Sequence, residues 1–301
     1  MSFISVVILT YNHERCIKKC LDSLLESQTE DVELIVADDA SKDKTVDVVE
    51  AWFYEHEKQF ESVKLLVSNV NNGTVKNLIK GVEASSSSYI KDIAGDDWFL
   101  PKAINNIKSF CSHERGFGVA FSPCAIAYEK SNGSVELSGK YENACLDPNF
   151  WNKDKLSQLK ALCRINCLRS PGAFYTREFW DCLHLDNYGV VLVEDWVMWL
   201  RGMICNQNYV EMNTPIVVYR QSLASVSKNF SDDNYSRYLN DCAQIIKKIS
   251  LNIRELPIRD KLYLVYMYCY IKFFLTLPVG MRVSLAKLRS NKNMKKRRLI
   301  C

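Results

Sequence analysis

The sequence has little of what builds metal clusters or disulfide frameworks. Its four histidines (His13, His56, His113, His184) show no metal-ligand spacing, and its twelve cysteines include no C-x-x-C pair. A structural zinc site is therefore not expected, and scattered thiols of this kind fit a reduced, cytoplasmic protein. Cys16/Cys20 and Cys163/Cys167 stand four apart, the spacing of helical neighbours. No internal repeat or long linker is present, which argues against a solenoid or an array of tethered modules. The opening MSFISVVILTYNHE lacks the basic start of a secretory leader, and its apolar run has only strand length. The aromatic-rich stretch LYLVYMYCYIKFFLTLPVG (262–280) is interrupted by Lys272 and ended by Pro278, so a bilayer span is not expected there.

Acidic residues are missing altogether from 282–301, where Arg282, Lys287, Arg289, Lys292, Lys295, Lys296, Arg297 and Arg298 stand. The formal charge of +4 hides this asymmetry, because the remainder holds 31 basic against 35 acidic residues. Such a block calls for an anionic surface. With the aromatic stretch before it, an interfacial helix at an anionic inner-membrane surface is one reading. The other is a buried C-terminal helix with a solvated basic tail. Nucleic acid is not an expected partner, since aromatic and basic residues are not interleaved along the strands.

What is present is an alternation of elements. FISVVILTY (3–11), VELIVADD (32–39), VKLLVS (63–68) and YIKDIA (89–94) read as strands. Helices are expected over 17–28, from a cap at Ser41 or Asp43 to about 60, and over 74–85. The order implies right-handed crossovers and a mainly parallel, Rossmann-like α/β sheet. After residue 100 the pattern is less regular, with strand candidates in GVAFSPCAIAYE and NYVEMNTPIVVYR.

In open parallel sheets ligands bind beyond the carboxyl ends of the strands. The first strand ends in Thr10-Tyr11-Asn12, the second in Asp38-Asp39, and the fourth, after Gly95, in Asp96-Asp97-Trp98. Two acidic pairs and a tyrosine thus converge on one edge. Adjacent carboxylates repel, and a metal ion or a donor-rich ligand relieves them. Gly95 permits close backbone approach there, and Trp98 can wall the site.

The stretches SVVILTYNHE, VELIVADDASKDKT, NNGTVKNL, YIKDIAGDDWFLP and VEDWVMWLR, in this order over about residues 3–201, resemble the family 2 glycosyltransferases with the GT-A fold, of the bacterial surface-polysaccharide type. The resemblance implies a nucleotide-diphospho-sugar transferase domain over 1–225, with a donor half to about 100 and an acceptor half over 101–225. A helical C-terminal extension, 226–301, follows. It implies an inverting, metal-dependent hexosyltransferase acting on a nucleotide-sugar donor, with a UDP-sugar favoured because an acceptor-only carboxylate suits the imide N–H of uracil. The acceptor would be a saccharide, lipid-linked, in O-antigen or capsular polysaccharide assembly, met by a cytoplasmic enzyme peripheral to the membrane's inner face. By the same resemblance Thr10 and Tyr11 line the nucleoside pocket, Asp39 accepts from the base, and Asp38 supports it or reaches the ribose. Glu14, Lys76 and Asn77 match positions near the donor, although Glu14 also has Arg15 beside it and Lys76 begins a short helix. Asp97 is the metal ligand, with Asp96 on the ribose or a metal-bound water, and hard oxygen donors suit Mn²⁺ or Mg²⁺. Asp195 is the general base and Glu194 its orienting neighbour, though acids in a helix's first turn also serve its dipole. Trp196 and Trp199 are either sugar platforms or core. The sequence departs from the family pattern at Ser222, where a metal-ligating histidine often stands; Arg220 or Lys228 is a further candidate for the diphosphate.

Two other classes share some of these features. A phosphoryl-transfer receiver also gathers acids around Mg²⁺, but its acid pair follows the first strand, which here ends in Thr-Tyr-Asn. A catalytically inactive sugar-nucleotide or glycan-binding scaffold at a membrane shares fold and pocket alike. Intact Asp97 and Asp195 favour turnover over it.

Overall fold

The computed structural model describes residues 3–130, 133–185, 188–190, 192–221, 232–278 and 281–282. The first four strands form where expected: β1 (Ile4–Thr10), β2 (Val32–Asp38), β3 (Ser62–Val67) and β4 (Tyr89–Ala94). Between them run α1 (Ile17–Leu24), α2 (Thr45–His56) and α3 (Thr74–Glu83). β1 and β2 are apolar on both faces because helices cover both, and Ile4, Val6, Ile8, Leu34 and Val36 are wholly buried. Several helix boundaries differ from expectation, α2 ending at His56 and α3 at Glu83, short of 60 and 85. α1 stops at Leu24, and α2 starts at Thr45 because Ser41 bonds Asp38 instead of capping, while Asp43 takes both the N–H and the hydroxyl of Thr45.

The later elements are β5 (Trp98–Phe99), α4 (Ala103–His113), β6 (Val119–Phe121), β7 (Cys124–Glu129), β8 (Val135–Glu142), α5 (Lys155–Arg164), β9 (Ala173–Thr176), α6 (Arg177–Asp181), α7 (Glu194–Ile204), β10 (Tyr209–Glu211) and β11 (Val217–Gln221). A seven-stranded sheet has the order β10-β6-β9-β4-β1-β2-β3, parallel except for β9 against both its neighbours. A second sheet has the order β5-β11-β7-β8. Each irregular run of the second half divides between the two sheets. β6 leaves the large sheet before Pro123 and β7 continues in the small one; β10 and β11 do the same around Pro215. Proline has no N–H to give a ladder, so the break falls there.

The chain divides into two compact units, one of residues 1–187 with 194–222 and one of 188–193 with 223–301. In the second, α8 (Asp232–Lys248) packs on α9 (Ile258–Thr276) through Leu264, Ile271 and Phe274, with Tyr235 edge-on to Phe274. Among the described residues no helix is long and apolar enough to cross a membrane.

Candidate functional site

The strand order sets the location. The chain passes from β1 outward to β2 and β3, then returns to place β4 on the other side of β1, so a crevice opens at the carboxyl ends of β1 and β4. Thr10 ends β1, in register with Asp38 at the end of β2, and Leu9 stands opposite Ala94 at the end of β4. The residues that follow, Tyr11 to Glu14, Asp39 to Asp43 and Gly95 to Asp97, therefore meet along one edge.

The second acidic pair divides its labour. Asp38 is fully buried, and its oxygens accept the N–H and the hydroxyl of Ser41. Asp39, also buried, accepts the backbone N–H groups of Asn72 and Gly73 at 2.8 and 2.7 Å, tying the Asn-Asn-Gly turn across the end of β2. Gly73 takes φ +89°, a conformation other residues resist. Glu14 and Asp43 cross-link two loops: Glu14 Oε2 accepts the Lys44 N–H, and Asp43 Oδ2 accepts the Glu14 N–H. Lys76 is exposed on the first turn of α3, whereas Asn77 is buried and donates to the Ala37 carbonyl. Tyr11 is 41% exposed at the rim.

Around the Gly95-Asp96-Asp97 turn the packing is close. A Cβ on Gly95 would lie 2.9 Å from His13 Nδ1 and 3.3 Å from Thr10 Cβ, so only glycine lets this turn sit against the end of β1. Asp97 is buried, accepts the Arg220 N–H at 2.8 Å, and gives its own N–H to Ala94. Burial, and then the Asp96 carboxylate beside it, push the Asp97 carboxyl well up. Lys91 works the other way: it is wholly buried in β4, donates to the carbonyls of Asp92 and Pro171, and its charge acts on Asp97. Trp98 lies under the Lys19 ammonium, 3.3 Å from its ring centre. Arg220 pairs with Glu129 at 3.0 Å.

Three buried polar atoms here have no protein partner: Thr10 Oγ1, His13 Nδ1 and Arg220 Nε. Such atoms are rare in folded proteins and call for a ligand or water. His13, structural on the sequence reading, thus belongs to the site. Its only signal in the sequence was its position two residues after Tyr11. Ser222 and Lys228 lie outside the described residues.

Glu194 and Asp195 open α7. Asp195 Oδ2 accepts from Asn166 Nδ2 at 2.9 Å, and Oδ1 from the Trp196 N–H. Burial raises its carboxyl despite the Asn166 bond, and Asp92 of β4 adds to the rise. The base candidate thereby feels the charge of the strand that leads into Asp96-Asp97. Asn166 had no signal in the sequence. Trp196 and Trp199 are both buried, with Trp196 Nε1 bonded to the Leu162 carbonyl, so both are core.

Asp96 and Asp97 offer hard oxygens, and a cation offsets the repulsion between the buried Asp97 carboxylate and the half-buried Asp96 beside it. Among the described residues no cluster of three His, Cys, Asp or Glu side chains makes a complete cage. The pair therefore fits an ion whose remaining ligands come from a phosphate-bearing substrate and water.

Residues 5–132 match the model of the family described as glycosyl transferase family 2. The match covers less than half of the 301-residue chain. A Campylobacter jejuni relative, a GalNAc(5)-diNAcBac-PP-undecaprenol beta-1,3-glucosyltransferase, is 28% identical over 141 residues, 46% of this chain and 43% of its own. The chain spans 63% and 43% of the lengths of two of the curated relatives it matches. S. aureus TarS 1-349 in complex with UDP-GlcNAc has a TM-score of 0.60 at 17% identity, over 90% of this chain and 72% of that one. The Pyrobaculum calidifontis mannosyltransferase PcManGT, in complex with GDP-Man and Mn²⁺, has a TM-score of 0.56 at 16% identity, over 95% of this chain and 73% of that one. The family 2 segment carries the β1, β2 and β4 ends of the site; Asp195, Asn166 and Arg220 lie beyond it. The fold is the GT-A-like α/β fold.

Proposed function

We propose that the chain is an inverting hexosyltransferase that moves a sugar from a UDP-sugar to a lipid-linked saccharide in bacterial surface-polysaccharide assembly, of the O-antigen or capsular kind. The observation that carries this reading is the group of unpartnered polar atoms, Thr10 Oγ1, His13 Nδ1 and Arg220 Nε, beside an acid pair, Asp97 buried and Asp96 half-buried, at the switch point of the sheet. A nucleoside diphosphate supplies acceptors for such groups, and TarS 1-349, which shares the fold, is in complex with UDP-GlcNAc. The lipid-linked acceptor is supported by the undecaprenol named for the C. jejuni relative. The described cysteines are all free, in keeping with a cytoplasmic setting.

In this mechanism Tyr11, Thr10 and Asp39 hold the nucleoside; the Asp39 carboxylate, already taking two N–H groups, has capacity for one more. Glu14, Asp38 and Asn77 keep the surrounding loops in place, and Lys76 lies at the rim. Asp97, with Asp96, would hold Mn²⁺ or Mg²⁺, which neutralises charge on the diphosphate leaving group. Asp195 takes the proton of the acceptor hydroxyl as that oxygen attacks the anomeric carbon from the face opposite UDP, while Glu194 orients the acceptor.

Calorimetric titration with UDP and with GDP, each with Mn²⁺ and with EDTA, tests the donor site. Binding of UDP that requires Mn²⁺ is expected. Binding unchanged by EDTA would remove the metal, and binding of neither nucleotide would remove the donor site. Nucleotide binding with no release of UDP from any UDP-sugar, offered with lipid-linked acceptors, would favour the scaffold.

A further inference from the structure

α9 has two apolar faces. Leu264, Ile271 and Phe274 are buried on one. On the other, Ile258, Leu262, Val265, Tyr266, Cys269 and Phe273 are exposed. These follow the spacing i, i+4, i+7, i+8, i+11, i+15, which places them within an arc about 100° wide along one side of the helix. A surface helix ordinarily turns charged residues to water; Leu262, Tyr266 and Phe273 are instead 64%, 62% and 64% exposed. Basic residues flank the stripe, Arg259 on one side and Lys261 and Lys272 on the other, and Lys272 reaches Asn240 at 3.4 Å. Asp260, the one acid of the helix, falls on the side of Leu264 and Ile271.

We infer that this stripe docks on the surface of an anionic bilayer, with the helix lying in the interfacial plane. The charges decide between lipid and a second copy of the chain. Two copies meeting through this face would bring Arg259, Lys261 and Lys272 against their like, whereas anionic headgroups neutralise them. Aromatic and aliphatic side chains between flanking cations are the pattern of helices that enter the headgroup boundary without crossing. The helix begins at Ile258, four residues before the aromatic stretch, so Ile258 and Arg259 join the surface. The inference is independent of the donor reading, because binding is measured without nucleotide.

The test is co-sedimentation of the full chain with vesicles of phosphatidylcholine alone and of phosphatidylcholine with a third phosphatidylglycerol. Association with the anionic vesicles, weakened by salt, is expected, together with a loss of about tenfold or more in the Leu262→Glu/Tyr266→Glu/Phe273→Glu variant. Phe273→Glu alone reads the same face should the triple variant fail to fold. Anionic vesicles should also slow maleimide modification of Cys269, read by peptide mapping. Equal association of the wild type and these variants, or unchanged Cys269 labelling, overturns the inference. So does a wild-type dimer in light scattering without lipid that these substitutions make monomeric, which would assign the face to a second copy.

Discussion

Asp195 is held by opposing influences: burial and Asp92 raise its carboxyl, while the Asn166 amide and the Trp196 N–H stabilise the ionised form. A general base must be ionised to act, so turnover should fall as pH drops through this raised value, with the acid limb above the ordinary aspartate range. Asp195→Asn should lower kcat by about 10²- to 10⁴-fold with donor affinity intact; normal turnover would remove Asp195 as base. Asn166→Ala should move the acid limb to still higher pH, because it removes a bond to the charged form. Asp97 gives a prediction of the opposite kind. A carboxylate whose folded-state pKa is raised costs stability above that pKa, since the folded state prefers the proton that the unfolded state has already released. Asp97→Asn should therefore raise Tm of the metal-free protein at neutral pH by a few degrees and abolish Mn²⁺-dependent donor binding. Unchanged donor binding would detach the metal from this residue. The sequence showed the acids as pairs; it could not show their division of labour. Which oxygens Ser41, Asn72, Gly73 and Arg220 occupy depends on loops folded across 3 to 123 residues of chain.

At the scale of elements, the strands that carry the site were legible because their burial on both faces writes a continuous apolar run. β4 appears over the expected residues, and β1, β2 and β3 within a residue at each end. The second half was less legible, since short strands divided between two sheets leave no single period to read. Pro123 and Pro215 marked those divisions, and a proline inside a strand-like run is the one local sign of them. The turn after β4 depends on its glycine. Gly95→Ala would drive a methyl group into His13 and Thr10, and relief by moving the turn would displace Asp96 and Asp97 from the end of β1. Donor affinity should fall further than Tm in this variant. A fall in Tm with unchanged affinity in the folded fraction would place the site elsewhere.

At the scale of the molecule, the thiols follow their surroundings. Burial pushes Cys111, Cys124 and Cys242 up to about 12, which leaves them poorly nucleophilic. Among the described cysteines Cys269 alone is exposed, so in the native protein it should be alkylated first of these, and buried thiols should react only on unfolding. Early modification of Cys111 or Cys124, seen by peptide mapping, would contradict the packing of α4 and β7. The described cysteines form no disulfide, so a reductant should leave Tm unchanged.

The sheet order has a consequence for any attempt to cut the chain. β4, which bears the acid pair, is hydrogen-bonded on one side to β1 and on the other to β9, whose residues arrive 79 positions after β4 ends. A fragment stopped at residue 132 would keep the family 2 segment but leave this ladder open, with unpaired N–H and C=O groups inviting a neighbouring molecule. It should aggregate where the whole chain does not. The half that presents Asp96 and Asp97 is thus unable to stand as a separate module: the strand that seals it is supplied by the half that carries Asp195.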